Sequence, residues 1–312
     1  PPLDTAKVQP RPVQAPYHAP HAPIPAAPAP LWPEASNALL SVYSAGYQGM
    51  RPYMEDRACG QLTVPGYPKA SIFGVFDGHG GYQVAQMAAE KLPRILVDKL
   101  KKGSDPVDAL KDSFCSFDED LRASSSTAFQ KMGSTANMVL LLEAEGGGFR
   151  LLCANCGDSR AVLCRNGTAL ALSQDQKPND PEERRRIEAA GGRIGLHGPC
   201  YRIDSGLNLS RALGDFLYKA NRSLPPDQQK VICNPEVQDV HVNSDVDQFL
   251  VMASDGVFEV FSSEELVREL LQEHQRLKAW PIAIDSILKR AWSSGDNVSI
   301  CLVEFLHDES GI

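Results

Sequence analysis

The stretch Ile72-Phe-Gly-Val-Phe76-Asp-Gly-His-Gly-Gly81 decides how the rest of the chain is read. The apolar run ending at Phe76 has the length and composition of a buried strand. It stops abruptly at Asp77, and the glycines that follow let the backbone turn sharply and pack close to something. A carboxylate and an imidazole, Asp77 and His79, are left where the chain leaves the core. Two readings stay open here. Either Asp77 caps a polar strand-to-helix turn, or the pair serves metal binding and proton transfer.

Beyond Gly81 the period changes. Val84, Met87, Ala88, Leu92, Ile95, Leu96 and Leu100 fall at helical spacing, with Pro93 expected to kink or restart the helix. Asp105-Pro106 reads as a cap and a first-turn proline, and Val107, Leu110, Phe114, Phe117 and Leu121 form a second helical stripe. Each helix has one apolar face, so the two pair and cover a sheet. Residues 41–47, the stretch to Val64, and residues 134–142, 149–153 and 161–164 read as strands, with a hairpin signal at Asn166-Gly167. Asp180-Pro181 caps a short helix that stops at Gly191-Gly192, and the sequence is then irregular to about Asn234. Residues 249–253 repeat the opening pattern, an apolar strand ending in Asp255-Gly256. Ser262-Ser-Glu-Glu265 reads as a capping box opening a helix to about Leu271. A last helix spans about 282–292, and a strand carrying Val298, Ile300, Leu302 and Phe305 closes the pattern.

Short turns imply antiparallel pairing. Helices come in pairs rather than after every strand, which excludes a Rossmann-type alternation. The expected fold is α+β: a four-layer α-β-β-α sandwich of two mainly antiparallel sheets flanked by helix pairs.

Composition shifts near residue 36. Residues 1–35 hold 11 of the 23 prolines and few large apolar residues, so they read as a disordered or extended arm, a linker before a domain spanning 36–312. The net charge of −8 argues against nucleic acid as a partner. No apolar run of about 18 residues exists, so no transmembrane segment is expected. The 8 cysteines are too sparse for a disulfide framework and imply an intracellular, reducing setting, cytoplasmic or nuclear. Cys153-Ala-Asn-Cys156 has redox or zinc spacing, but it stands alone beside a strand-like run and reads as buried thiols. Cys59 reads as strand packing.

Acidic residues gather where apolar stretches meet Gly, Asn or Ser: Glu55, Asp56, Asp77, Asp158, Asp255 and Asp296. Singly, acidic turn residues are ordinary. Converging at one end of two sheets, they would repel and be costly to desolvate unless divalent cations neutralised them. Oxygen ligands without a His cluster favour Mg²⁺ or Mn²⁺ over zinc.

Nine stretches in order carry a family resemblance. They are Arg51-Pro-Tyr-Met-Glu-Asp56, Phe76-Asp-Gly-His-Gly-Gly81, Gly133-Ser-Thr-Ala136, Asn155-Cys-Gly-Asp-Ser-Arg160, Asp175-Gln-Lys-Pro178, Ile187-Glu-Ala-Ala-Gly-Gly192, Leu209-Ser-Arg-Ala-Leu-Gly-Asp215, Ala253-Ser-Asp-Gly256 and Gly295-Asp-Asn297. From about 41 to 306 the chain resembles the metal-dependent protein serine/threonine phosphatases of type 2C. The resemblance implies that Glu55, Asp77 and the Gly78 carbonyl bind one Mg²⁺ or Mn²⁺, and that Asp77, Asp255 and Asp296 bind a second. Asp158 with Asp255 matches a weaker third site. Arg51 matches the arginine that holds the substrate phosphate, His79 the proposed general acid, and Asp56 a support for the ligands.

The implied reaction is hydrolysis of phosphoserine and phosphothreonine in proteins by direct attack of a metal-bridging water. No cysteine lies in a Cys-x5-Arg loop that would suggest a thiol mechanism. The resemblance also implies a monomer acting on phosphorylated proteins. Two alternatives share the fold: a pseudophosphatase acting as a regulatory binding module, and a hydrolase of small phosphate esters. A dead relative is expected to lack one of Arg51, Asp77, Asp255 or Asp296, and all are present. Where the family most often has an aromatic and then Asp after the second Asp-Gly, this chain has Phe258-Glu259, which bears on the third site. Residues 179–205 match a variable flap. Its Arg184, Arg185 and Arg186 read as a solvated helix face, with acidic substrates as the other use, and His197 as a surface residue.

Overall fold

A computed structural model of the chain describes residues 29–124, 127–145 and 147–306. The strand Ala70–Phe76 is buried along its whole length. Alternation sends Ile72 and Phe76 to one face and Phe73 and Val75 to the other, into two different cores. A strand covered on both faces reads as a continuous apolar run, which is why 72–76 shows no polar alternation.

That strand belongs to a five-stranded sheet in the order Glu236–Val242, Phe149–Cys156, Ala136–Glu143, Ala70–Phe76, Arg57–Gln61. A six-stranded sheet faces it, in the order Ala29–Ser36, Leu40–Tyr47, Val298–Phe305, Asp247–Ala253, Arg160–Arg165, Thr168–Ala171. Neighbours in both sheets pair antiparallel. Between the sheets lie Val42, Phe73, Val75, Val139, Leu151, Leu163, Leu250, Met252 and Val303.

In chain order the α-helices are α1 (Gln83–Lys101), α2 (Pro106–Ala123), α3 (Pro181–Ala189), α4 (Asp255–Phe258), α5 (Ser263–Leu277) and α6 (Trp280–Ala291). Helices α1 and α2 cover the five-stranded sheet, burying Leu92, Leu96, Phe114 and Phe117 against Ile72 and Phe76. Each such side chain contributes about 1.5–3 kcal/mol. Helices α5 and α6 cover the other sheet through Leu266, Leu270, Ile284, Ile287 and Leu288. The four layers are those expected from the pattern.

Four local expectations change. Helix α1 runs unbroken through Pro93, which is itself buried. Proline in a helix interior costs about 3 kcal/mol, and burial of Leu92 and Leu96 on either side offsets it. Asp180 stands at the start of α3, but its carboxylate accepts the Lys177 N–H at 2.8 Å rather than a helix N–H. The stretch to Asn234 is not irregular throughout: Ile194–His197 and Cys200–Ile203 form a hairpin over a small core of Ile187, Ile203, Leu209 and Val231.

The six-stranded sheet also takes in residues before 36. Ala29–Ser36 pairs with Leu40–Tyr47, with register breaks between Pro30 and Trp32 and between Trp32 and Ala35. A proline-containing strand is tolerated there because it lies at the sheet's edge. Its composition resembled the arm because backbone pairing at an edge makes little demand on side chains. The rest of the arm lies outside the described residues.

Candidate active site

The two apolar strands that end in Asp-Gly deliver Asp77 and Asp255 to one end of the sandwich. Asp77 is fixed through its backbone: its N–H donates to Thr135 Oγ1 at 3.0 Å and its carbonyl accepts the Thr135 N–H at 2.9 Å. Gly78 lies against the Glu55 carbonyl; a Cβ there would stand 2.7 Å from that oxygen, so only glycine allows the approach. Asp296 and Asn297 arrive just before Val298–Phe305.

The charges of Asp56, Asp158, Asp255 and Asp296 all act on Asp77, whose carboxyl burial and these neighbours hold well above its usual range. Asp255 is pushed up to about 8, by burial and then by Asp158 and Asp296. Burial pushes Asp56 up to about 6, against hydrogen bonds from Ser299 and Ser254. Asp56 Oδ2 accepts the Ser299 hydroxyl at 2.6 Å, while its buried Oδ1 has no hydrogen-bond partner among the described residues. Two cations answer the carboxylates directly: Arg51 reaches Asp296 Oδ2 at 2.5 Å, and Lys177 pairs with buried Asp158.

Among the described residues no three of the His, Cys, Asp or Glu groups close into a ready-made ligand cage. The donor set nonetheless fits hard divalent cations. It is all oxygen, it carries more negative charge than Arg51 and Lys177 balance, and beside it the buried Asp56 carboxylate keeps one oxygen without a hydrogen-bond partner among the described residues.

His79 stands at the edge of this cluster, its Nε2 2.5 Å from Asp215 Oδ2. Burial alone would lower the imidazole's pKa; the charge and hydrogen bond of Asp215, aided by Asp158 and Glu55, outweigh it and raise it. The pairing is built by a small three-stranded ladder in which Gly78–His79 and Leu213–Gly214 flank Gly133–Ser134. Gly133 clears the space between them: a Cβ there would lie 2.1 Å from Asp215 Oδ2 and 2.5 Å from His79 Nε2.

The family model described as "Protein phosphatase 2C" matches residues 42–294. This chain belongs to the protein phosphatase 2C family. It is 37% identical over 273 residues to Protein phosphatase 2C homolog 2 of Schizosaccharomyces pombe, covering 83% of this chain and 71% of that one. It is 33% identical over 310 residues to Probable protein phosphatase 2C 42 of rice (Oryza sativa subsp. japonica), covering 88% and 86%. Among solved structures it superposes on a phosphatase from Toxoplasma gondii with a TM-score of 0.78 at 28% identity, covering 87% of this chain and 94% of that one.

Against the nine stretches of this phosphatase 2C chain, the structure brings Asp56, Asp77, Asp158, Asp255 and Asp296 into one electrostatic cluster, with Glu55 beside Gly78. Glu259 is close enough to Asp296 for that charge, after partial burial, to raise its carboxyl. Cys153 and Cys156 are buried, free, and pushed up to about 12 by burial. His197 is exposed. Arg186 is not on a solvated face: it pairs with Glu183 at 2.8 Å and donates to the carbonyls of Ser210 and Gln229.

Three residues with no assigned role in the sequence reading matter here. Asp215 and Gly133 build the His79 pair. Asn297 clamps the loop that carries Arg51 and Glu55: its Oδ1 accepts the Glu55 N–H at 2.7 Å, and its Nδ2 donates to the carbonyls of Gln48 and Tyr53 at 2.7 and 3.0 Å. All three lie within the matched stretches, which was the available signal. Their partners are remote in sequence and carry no spacing rule.

Proposed function

We propose that this phosphatase hydrolyses phosphoserine and phosphothreonine in proteins and depends on Mg²⁺ or Mn²⁺ to do so. The observation that supports it best is the joint placement of the over-charged carboxylate cluster and the His79–Asp215 pair at one end of both sheets. Glu55, Asp77, the Gly78 carbonyl, Asp255 and Asp296 would hold two cations, with Asp158 and Asp255 serving a weaker third. When bound, such ions supply charge neutralisation at the phosphoryl oxygens and a water acidic enough to act as nucleophile at neutral pH.

The chain's own groups do the rest. Arg51, its side chain more than half exposed, turns its planar fork to two phosphate oxygens. His79, whose protonated form Asp215 favours, gives its proton to the seryl or threonyl oxygen as the P–O bond breaks. Asp215 fixes the ring and balances its charge. Asn297 keeps the Arg51 loop at the correct distance from the cluster.

The test is an assay of purified protein on a phosphothreonine peptide with Mg²⁺, Mn²⁺ or EDTA, with a small phosphate ester as control. Turnover of the peptide in metal and its loss in EDTA support the reading. Turnover of the small ester alone points to a small-molecule hydrolase, and no turnover with any ion points to a binding module.

A further inference from the structure

Away from the active site, a cavity of ≈ 640 Å³ opens between α2 and residues 216–234, and two thiols line it. Cys115 lies on α2 and is partly exposed; Cys233 precedes the Glu236–Val242 strand and is buried. The Cys233 S–H donates to Cys115 Sγ at 4.0 Å, and the Asn234 side-chain amide donates to the same sulfur at 3.6 Å. Two donors converge on Cys115, and the cavity gives a small solute a way in.

From this geometry we infer that Cys115 and Cys233 form a reversible disulfide when the protein meets a peroxide, and that this bond lowers phosphatase activity. The chemistry follows from the asymmetry of the pair. The Cys233 hydrogen bond lowers the Cys115 thiol against the effects of burial and of Asp118, Asp112 and Glu119, whereas Cys59, Cys153, Cys156, Cys164 and Cys301 are all raised by burial. Cys115 is therefore the nucleophile. Its thiolate attacks one peroxide oxygen, the O–O bond breaks, and hydroxide leaves and takes up a proton to become water. The Cys233 sulfur then attacks the Cys115 sulfenic sulfur. The S–O bond breaks, and the oxygen leaves as a second water carrying the Cys233 proton. Two thiols are oxidised by one electron each, and the peroxide takes up both.

The sulfurs must close from 4.0 Å to the bonded distance of about 2 Å. That displacement falls on α2 one turn before Asp118, on the same helical face. Asp118 Oδ1 accepts the Gly214 N–H at 2.7 Å and the buried Lys219 ammonium at 2.8 Å. Gly214 is the neighbour of Asp215, the partner of His79. Tying Cys115 to Cys233 therefore pulls on the anchor of the residue that positions the proposed general acid. This activity arm rests on the phosphatase reading above; the disulfide arm does not.

The test treats the full chain with hydrogen peroxide, blocks remaining thiols, and maps cysteine peptides by mass spectrometry, with activity on the phosphothreonine peptide measured in parallel. The expected result is one cross-linked Cys115–Cys233 peptide, reversed by dithiothreitol, with a several-fold fall in activity that the reductant restores. Cys233→Ser should abolish the cross-link, leave untreated activity near wild type, and divert Cys115 to sulfinic acid. Peroxide treatment that leaves Cys233 fully reduced in the wild type overturns the site. A complete cross-link with unchanged activity overturns the coupling. An enzyme inactive before oxidation counts against the phosphatase reading, and the peptide map then still decides the site.

Discussion

Asp215 Oδ2 lies 2.5 Å from His79 Nε2, across 136 positions of sequence and on the far side of a two-residue strand. Asp215 itself sits in the left-handed region, with φ 53°, a conformation that Asp and Asn tolerate better than other side chains. The imidazole is thus held by a residue whose own backbone is committed to presenting it.

Asp215→Asn keeps that backbone conformation and removes the charge. It is expected to lower kcat on a phosphothreonine peptide by ~10²-fold or more, the scale of general acid catalysis. On an aryl phosphate, whose leaving group needs no proton, the loss should shrink to within a few-fold. An equal loss on both substrates would count against a proton-transfer role for the pair.

Asp77→Asn removes the carboxylate that, on the proposed reading, would serve both cations. Activity should vanish at any Mn²⁺ concentration while circular dichroism stays that of the wild type. Full activity of this variant at saturating Mn²⁺ would sink the two-metal reading.

Metal-free protein should lose stability as pH rises, the reverse of the usual trend for acidic residues. Asp56 and Asp255 have folded values of about 6 and about 8 against 3.8 for the unfolded chain, and Asp77 is raised as well. A raised carboxyl means that the folded state binds protons more tightly, so its stability is highest below the unfolded value and falls until pH passes the folded one. In EDTA, Tm at pH 8.5 should therefore lie several degrees below Tm at pH 5.5. Mn²⁺ at 100 times its Kd should restore about 2.7 kcal/mol at the higher pH. A Tm that is flat across this range in EDTA would mean that the cluster is not desolvated.

Glu183 is the structural counterpart. Its buried carboxylate, on α3 within the 179–205 flap, pairs with Arg186 at 2.8 Å and with Arg211 at 2.7 Å. Glu183→Gln leaves the Arg186 guanidinium without a carboxylate and Arg211 with only the exposed Glu236, and should cost about 3 kcal/mol in urea denaturation. Burial acts to raise this carboxyl, but the two arginines and Ser210 win and lower it below 4.5. Its contribution is accordingly complete above pH 4.5 and is lost only as pH falls through the depressed folded value.

Arg51→Lys keeps a charge but loses the fork. The expected result is a ~10- to 100-fold fall in kcat/KM, equivalent to about 1.4–2.7 kcal/mol. A smaller effect would mean that Arg51 serves Asp296 rather than substrate.

The layers of the fold were legible because burial writes a period into the chain. Residues 72–76 and 249–253 are continuous apolar runs, and α1, α2 and α5 carry clean stripes or a capping box, with Ser262 and Glu265 reciprocally bonded. The carboxylates of the site were legible for a similar local reason, each sitting at the end of a strand. What escaped notice is what depends on partners far away. The strand Glu236–Val242 is largely exposed and polar at the sheet's edge, so its residues show no apolar period. Arg186 sits in a run of three arginines that looks solvated, and its pairing with buried Glu183 and the carbonyls of Ser210 and Gln229 shows otherwise. Asp215 and Asn297 do their work through hydrogen bonds to residues far away in sequence, which no local spacing encodes.

The edge strand Ala29–Ser36 has a bearing on how these molecules meet one another. Prolines at 30 and 33 remove two amide donors from that strand, and the register breaks beside Trp32 interrupt its ladder. A rim without a regular row of donors offers a poor template to a strand from another molecule. The proline-containing start of the six-stranded sheet therefore presents a broken edge rather than a regular row of pairing groups.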